Sequence, residues 1–313
     1  MSKELLLGLN EGRGVKPLYS GSHGLVRQLP IARKSFNIFG KGNSLYVYGG
    51  ITPDSKYDNT LFRRLINLTD SNWTSYAGTP GTEHTWYNSG RLRLSDQKAY
   101  IYTRNANVTN QNQIIAAPYT SGNFSIARPY SVGTFYFYVY QGNIFILPGN
   151  AVGNVLQSTE TTPNSFTDTG INVKVNGANV SFSVLVDNLI YYRLSDYAST
   201  QIGYCLNLTN LEVTEVSDFP YSVSNNNDSM RVGNRVYSVN SNDSYSSLDA
   251  YTLIERDLFG NILRSAIIPR NEPYDAYDRG WTISGKRLYC AGGLSAVSTS
   301  VAVYDVGYLD LNI

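Results

Sequence analysis

The sequence predicts an all-β protein, and within that class a six-bladed β-propeller with four strands in each blade. Three observations support this prediction: a composition that favours strands and turns, a short apolar strand that recurs six times, and an apolar hairpin that accompanies the recurrences. Tyrosine occurs 26 times and glycine 27 times in 313 residues, while only 16% of the residues are charged. Aromatic and β-branched residues favour strands, and Gly, Asn and Asp favour tight turns.

The recurring strand follows a turn residue in each copy. It reads NSLYVYGG at residues 43–50 and GKRLYCAGG at residues 285–293. The first apolar residues of the copies are separated by 54, 45, 45, 47 and 52 positions, at Leu45, Ala99, Ile144, Leu189, Val236 and Leu288. A spacing of roughly 40 to 50 residues is typical of a four-stranded propeller blade.

The segments around each anchor supply the other three strands. An apolar run and a tight turn precede the anchor at residues 35–43, 135–143, 182–188 and 281–286, which is the pattern of a β-hairpin. A polar loop then leads to a third strand, which we predict at residues 60–68, 112–119, 154–160, 201–208, 249–257 and 300–306. Fourth strands are predicted at residues 72–78, 123–130, 212–220 and 261–269.

The sixth unit reaches the C-terminal end with little chain left for a fourth strand. Residues 25–33, LVRQLPIAR, are similar to residues 262–270, ILRSAIIPR, which contain the predicted fourth strand of unit five. We therefore expect an N-terminal strand to close the ring and remove an open sheet edge. The alternative is that GYLDLNI, at residues 307–313, is this fourth strand. The prediction divides the chain into a tail or anchor at residues 1–16 and a propeller at residues 17–313.

The first and last units resemble the kelch repeat. Kelch units have a Pro and an Arg before the first strand, a double glycine after the second, and a Trp after the third. These features fall on Pro30, Arg33, Gly49, Gly50 and Trp73, and again on Pro269, Arg270, Gly292 and Gly293. The middle units lack the double glycine and the Trp. The resemblance implies a kelch-like propeller, and the double glycines are expected to have a structural role in close packing.

The chain also resembles bacteriophage tail and virion proteins in the texture of its sequence. Its strands are rich in Tyr, Asn, Ser and Thr, and it contains only two His and two Met. This resemblance implies a virion protein made in the host cytoplasm, and the N-terminal residues show no signal-peptide pattern. The formal net charge of +1 and the absence of a long apolar run argue against a nucleic-acid partner and against membrane insertion.

Motifs for catalysis are missing from the sequence, which contains no GxSxG, HExxH, Walker A or GxGxxG element. His23 and His84 are expected to be ordinary loop residues, and Cys205 and Cys290 to be buried reduced thiols. We therefore predict a protein that is not an enzyme and that has no metal or cofactor. The first alternative is a glycosidase or lyase, with a carboxylate pair drawn from Asp54, Asp58, Asp196, Asp243 and Asp249. The second is a cellular kelch-type interaction module, which is expected to carry a further domain.

The predicted binding surface is the set of loops between the second and third strands. These loops are rich in Asn, Ser, Asp and Tyr, which supply hydrogen-bonding groups and flat apolar faces suited to carbohydrate or protein surfaces. The expected partners are other virion or tail proteins, or a glycan or protein on the host surface. The candidate binding residues are Tyr57, Arg104, Asn105, Arg193, Asp196, Tyr197, Asn242 and Tyr245.

Overall fold

The computed structural model consists of six antiparallel sheets arranged as the blades of a β-propeller. It describes residues 17–34, 36–56, 58–66, 72–77, 84–85, 92–105, 112–121, 125–127, 134–174, 178–195, 201–216, 230–241, 250–269, 280–292 and 306–313. The predicted all-β class and the six four-stranded units are confirmed. Within the described residues, no helix is long and apolar enough to span a membrane.

Strand β1 (Tyr19–Val26) precedes the first blade and belongs to the sixth. Blade one contains β2 (Asn37–Lys41), β3 (Ser44–Tyr48), β4 (Leu61–Leu65) and β5 (Thr74–Tyr76). Blade two contains β6 (His84–Thr85), β7 (Leu92–Leu94), β8 (Lys98–Asn105), β9 (Asn112–Pro118) and β10 (Ser125–Ala127). Both β6 and β7 pair with β8, on successive parts of it, so together they occupy the position of the first strand. Blade three contains β11 (Phe135–Tyr140), β12 (Asn143–Pro148), β13 (Leu156–Thr159) and β14 (Thr167–Asp168).

The remaining blades follow the same order. Blade four contains β15 (Asn179–Val186), β16 (Leu189–Ser195), β17 (Gln201–Asn207) and β18 (Val213–Val216). Blade five contains β19 (Arg231–Val232), β20 (Arg235–Ser241), β21 (Ala250–Asp257) and β22 (Ile262–Pro269). Blade six contains β23 (Gly280–Ser284), β24 (Arg287–Ala291) and β25 (Val306–Leu311), with β1 as its fourth strand.

The ring is closed by the N-terminal strand, as the sequence predicted. Tyr19 pairs with Leu311 and Val26 pairs with Val306 in an antiparallel ladder. The expected position of this strand was wrong, because residues 27–33 follow the strand and lead into blade one. Residues 25–33 are similar to a strand of blade five because their apolar residues have the same spacing. The residues that form the closing strand are instead those that lie beside β25 in the folded ring.

The assignment of the last third strand also needs correction. We predicted it at residues 300–306, but the third strand of blade six is β25, which begins at Val306. Residues 300–305 lie outside the described part of the chain. The alternative assignment of residues 307–313 as a fourth strand is wrong as well, since β25 lies between β24 and β1.

The described residues form six buried apolar clusters, and each occupies the interface between two neighbouring blades. Blades five and six share one cluster, which includes Leu253 and Trp281, and blades three and four share another, which includes Tyr138 and Ile190. Similar clusters lie between blades one and two, six and one, and two and three. Blades four and five share a cluster around Val184 and Val236. Burial of apolar area on both faces therefore holds each blade in the ring.

The first strands of the blades lie nearest the centre, where they contact one another directly. Arg93 Nε on β7 donates to the carbonyl of Phe137 on β11 at 3.0 Å. The hydroxyl groups of Tyr138 on β11 and Ser183 on β15 are 2.7 Å apart. Arg231 Nη1 on β19 donates to the carbonyl of Leu185 on β15 at 2.9 Å. Hydrogen bonds between the first strands thus link blades two to five around the centre.

The double glycine after β3 is a close-packing device, as expected. Gly50 has a φ of 104°, and a Cβ added there would lie 2.8 Å from the carbonyl oxygen of Lys34 and from Cβ of Phe36. Gly292, the first glycine of the pair after β24, also approaches this segment, and a Cβ added to it would lie 2.7 Å from the carbonyl oxygen of Arg33. Both glycines therefore allow close contact with Arg33, Lys34 and Phe36, where blades six and one meet.

We predict that Gly50→Ala destabilises the protein more than Gly142→Ala. Gly142 also has a positive φ, of 75°, but a Cβ added there would have nothing within 4 Å. Its replacement should cost about 1–2 kcal/mol from backbone strain alone, and the crowding at Gly50 should add about 1–3 kcal/mol. Urea denaturation of the two variants measures the difference. Equal losses of stability would show that Gly50 has no packing role.

Candidate functional site

One face of the propeller carries the loops that join second to third strands and the connections that join successive blades, because neighbouring strands in each blade are antiparallel. We call it the loop face. The hairpin turns between first and second strands, such as Gly42–Asn43 in blade one, lie at the opposite face. Two of the loops on the loop face, those of blades one and three, are almost completely described.

The blade-one loop borders an open depression of about 550 Å³. Ile31, Thr52, Pro53, Asp54, Lys56, Asp58 and Thr60 line it. Backbone hydrogen bonds hold the loop in place. The amide of Lys34 donates to the carbonyl of Ile51 at 3.0 Å, and the amide of Ile51 donates back to Lys34 at 2.9 Å. The depression therefore offers hydroxyl, ammonium and carboxylate groups on a fixed backbone.

Arg33 is a fully buried cation that contacts the loop bordering the depression. Its side chain is 0% exposed, and Nη2 lies 2.7 Å from Oδ2 of Asp58. Nη1 donates to the carbonyl of Gly49 at 2.7 Å, and the guanidinium carbon lies 4.5 Å from the centre of the Phe62 ring. Burial lowers the pKa of Arg33, and Asp58 opposes this effect. The ion pair thus fixes both ends of the loop to the start of blade one.

The carboxylates of the depression are both engaged by neighbouring groups. Asp58 Oδ1 accepts a hydrogen bond from the Thr60 amide at 2.8 Å, while its other oxygen contacts Arg33. Asp54 lies 2.8 Å from Lys56 Nζ. Hydrogen bonds from Lys56 and Thr52 lower the pKa of Asp54 to about 2. Asp54 is therefore charged throughout the physiological pH range, with its charge balanced by a neighbouring ammonium group.

The blade-three loop displays an apolar side chain on a fixed backbone. Val152 is 93% exposed. On one side of it, the amides of Gly149 and Ala151 donate to the carbonyl of Thr134 at 2.8 and 3.2 Å. Lys174 Nζ donates to the carbonyl of Ala151 at 2.7 Å. The sequence analysis did not select Val152, although a β-branched residue within the turn-forming segment PGNAVGN is a usable signal for an exposed contact residue.

The structure describes three of the eight predicted binding residues, and it places them on strands rather than on loops. Arg104 and Asn105 end β8, and Arg193 lies inside β16. The strands extend further than expected because pairing continues from Arg104 to Asn112 and from Arg193 to Gly203. The other predicted binding residues lie outside the described residues: Tyr57, Asp196, Tyr197, Asn242 and Tyr245.

The histidines and cysteines also have defined backbone positions. His23 lies on β1 and His84 on β6, so the expectation that both are loop residues is wrong. Cys205 and Cys290 are buried free thiols, as predicted. Of the five aspartates proposed for the glycosidase alternative, Asp54 and Asp58 are described, and Asp196, Asp243 and Asp249 are not. The described residues contain no group of three or more His, Cys, Asp or Glu side chains placed to hold a metal ion.

Comparisons with known proteins give structural likeness only. No family model and no curated protein sequence matches the chain. One similar solved structure is that of YjhT, with 11% sequence identity and a TM-score of 0.49, covering 90% of this chain and 96% of that chain. Another is YCF48 bound to a D1 peptide, with 9% identity and a TM-score of 0.46, covering 96% of this chain and all of that chain.

We predict that Asp58→Asn destabilises the protein by about 3–5 kcal/mol, because it leaves the buried Arg33 guanidinium without its counter-charge. Asp54→Asn is the matched control, since it removes an exposed carboxylate from the same loop and should leave the free energy of unfolding unchanged. Urea denaturation at neutral pH compares the two variants. Similar stability in both would contradict the structural role of the Arg33–Asp58 pair.

Proposed function

We propose that this chain is a non-enzymatic binding and structural propeller that uses the loop face to dock its partner. The proposed setting is a bacteriophage tail or another part of a virion. There the chain docks to neighbouring virion proteins or recognises a glycan or protein on the host surface. The virion setting is supported by the Tyr-, Asn-, Ser- and Thr-rich texture of the sequence, and the location of the site is supported by the geometry of the loop face.

The observation that carries the binding proposal is the fixed presentation of Val152. An exposed aliphatic side chain on a mobile loop loses conformational entropy when it is buried by a partner, which weakens binding. The Val152 loop is held by contacts with Thr134 and Lys174, so it loses this conformational entropy during folding and not on binding. Val152 therefore has the properties of an apolar contact residue within a polar binding surface.

The blade-one depression supplies the polar part of the proposed surface. Thr52, Asp54 and Lys56 are exposed or half-buried there, next to the 39% exposed side chain of Ile31. Hydroxyl and charged groups beside a short apolar patch suit the hydroxyl and ring faces of a sugar, or the polar rim of a protein interface. The depression and the Val152 loop belong to different blades, so a partner that uses both contacts a broad part of the loop face.

The charge state of the depression favours binding over glycoside cleavage at this place. A glycosidase needs one carboxyl group with a raised pKa to act as a general acid. The Asp54 pKa is lowered to about 2, and both Asp58 oxygens accept bonds from Arg33 or Thr60. Asp54 therefore lacks the environment of a general acid, and Asp58 is committed to Arg33 and Thr60, which supports a recognition role for this surface.

A kelch-like origin of the propeller is part of the proposal. The Arg33 guanidinium bonds the carbonyl of Gly49, and Gly50 and Gly292 pack against residues 33–36. Two features of the predicted motif, the Arg and the double glycine, therefore meet at one point in the structure. Trp73 Nε1 donates to the carbonyl of Arg27 at 3.2 Å, which brings the Trp of the motif close to the same segment.

The test is a glycan-array screen of the purified chain on bacterial surface polysaccharides, with a parallel assay for release of reducing ends. We expect binding without release. Val152→Ser should weaken binding about tenfold, because it removes most of the apolar area that a buried valine contributes. Release of reducing ends by the unmodified chain would overturn the non-enzymatic proposal.

Val213→Ser is the control for this experiment. Val213 is also exposed, at 36%, but it lies at the start of the outer strand β18 and not on a loop of the loop face. Its replacement should leave binding unchanged. Equal losses in the two variants would contradict the assignment of the surface to the loop face. An absence of both binding and release would favour docking to neighbouring virion proteins.

A further inference from the structure

A second concave site lies where the ring closes, between blades six and one. It is a partly enclosed cavity of about 200 Å³, which we call the seam pocket. Blade six contributes Leu25 and Val26 from β1 and part of β24 and β25, while blade one contributes Leu45 and Leu65 from β3 and β4. These aliphatic side chains give the pocket an apolar wall, and the 71% exposure of Leu25 places that residue at its rim.

Two arginines line the seam pocket, and one of them, Arg287, is paired with the carboxylate of Asp310. Arg64 lines the pocket and is only 4% exposed. Arg287 also lines it and lies over the Tyr308 ring, with 4.1 Å between the guanidinium carbon and the ring centre. Asp310 contacts Arg287 through Nε at 2.8 Å. No carboxylate is among the lining residues in the described part of the chain, so the pocket offers guanidinium donors against an apolar wall.

The hydroxyl group of Tyr289 is the third polar feature. Tyr289 lines the pocket and is 1% exposed, and its hydroxyl makes no hydrogen bond of normal geometry with any described residue. Arg287 lowers the pKa of Tyr289 through its charge and a weak hydrogen bond to the hydroxyl oxygen, against the larger effect of burial, which raises it. Because a guanidinium only donates, the hydroxyl proton has no acceptor among the described residues. An unsatisfied buried donor costs about 1–3 kcal/mol, so a ligand that accepts this proton gains an interaction that the protein does not otherwise make.

From these features we propose that the seam pocket binds a small carboxylic acid that carries a branched aliphatic group. The carboxylate accepts hydrogen bonds from the Tyr289 hydroxyl and the Arg287 guanidinium, and Arg64 adds favourable charge. The aliphatic group packs against Leu45, Leu65 and Val26. This site is separate from the loop face and does not depend on the function proposed for that face.

The volume of the pocket limits the size of the ligand. A cavity of about 150 Å³ accommodates benzene, so the seam pocket accommodates a slightly larger group than six carbon atoms. An aliphatic acid of this size is either a free short-chain acid or the C-terminal residue of a peptide, with the remainder of the chain leaving past the rim at Leu25. Because both blades contact the ligand, its binding stabilises the closed ring.

The experiment measures binding of three probes to the full chain by calorimetry, together with the shift in melting temperature. N-acetyl-leucine represents a peptide end, 4-methylpentanoate represents a free acid, and N-acetyl-leucinamide lacks the carboxylate. We expect saturable binding and a raised melting temperature for at least one of the acids, and at least tenfold weaker binding of the amide. The tighter of the two acids identifies the source of the ligand.

Tyr289→Phe tests the site without disturbing the core. The ring that packs between the blades is kept, and the hydroxyl that is lost donates to no acceptor among the described residues, so the melting temperature without probe should change little. The affinity for the acid should fall about tenfold. Arg287→Gln should weaken binding of the acid at least as much, and it should leave the weak binding of the amide unchanged.

Tyr192→Phe is the matched control, because Tyr192 in blade four also has a buried hydroxyl without a partner in the described part of the chain, and it does not line the pocket. It should leave the affinity for the acid unchanged, and so should Val152→Ser on the loop face. Equal binding of the acids and the amide, an unchanged affinity in Tyr289→Phe, or no binding of either acid would each overturn the seam pocket proposal. None of these results bears on the loop face.

Discussion

The antiparallel pairing of β1 with β25 is the constraint on which the rest of the structure depends. It joins residues that are almost 300 positions apart, such as Tyr19 and Leu311. Without it, blade six would present the unpaired edge of β25 to solvent. The join also reaches blade five, since the Tyr19 hydroxyl donates to the carbonyl of Ile267 at 2.7 Å. Because every blade packs on two neighbours only in a closed circle, this one ladder completes the burial of both faces of the last blade.

The closed ring explains how a chain with few charged residues builds a defined surface on its loop face. The loops are anchored by groups that belong to the packed part of the blades. Arg33 is buried against Phe62 and bonds Gly49 and Asp58, and Thr134 stands directly before β11. These contacts are made during folding, so the described loops of blades one and three are organised before a partner arrives. Pre-organisation of this kind improves affinity by reducing the entropy lost on binding.

The frequent tyrosines contribute both apolar packing and hydrogen bonds between neighbouring blades. A tyrosine ring fills the interface between two blades with a large apolar area, and its hydroxyl needs a partner when it is buried. The Tyr100 hydroxyl on blade two meets that need across a blade interface by donating to Glu160 at 3.0 Å, and the hydroxyl groups of Tyr138 and Ser183 pair between blades three and four. The hydroxyl groups of Tyr289, between blades six and one, and of Tyr192, between blades three and four, have no acceptor among the described residues. Of these two side chains, Tyr289 is the one that lines the seam pocket.

The sequence by itself determined the all-β class, the number of blades, most strand positions and the structural role of the double glycines. These follow from local signals, because apolar alternation, turn residues and a repeat near 45 residues are properties of neighbouring positions. Tertiary structure alone decided which segments pair across the ring closure, so that β1 is Tyr19–Val26 and β25 starts at Val306. It also decided the exposure of Val152, the burial of Arg33 and the grouping of Arg64, Arg287 and Tyr289 around one cavity. These features arise from contacts between residues far apart in sequence, which a local pattern does not encode.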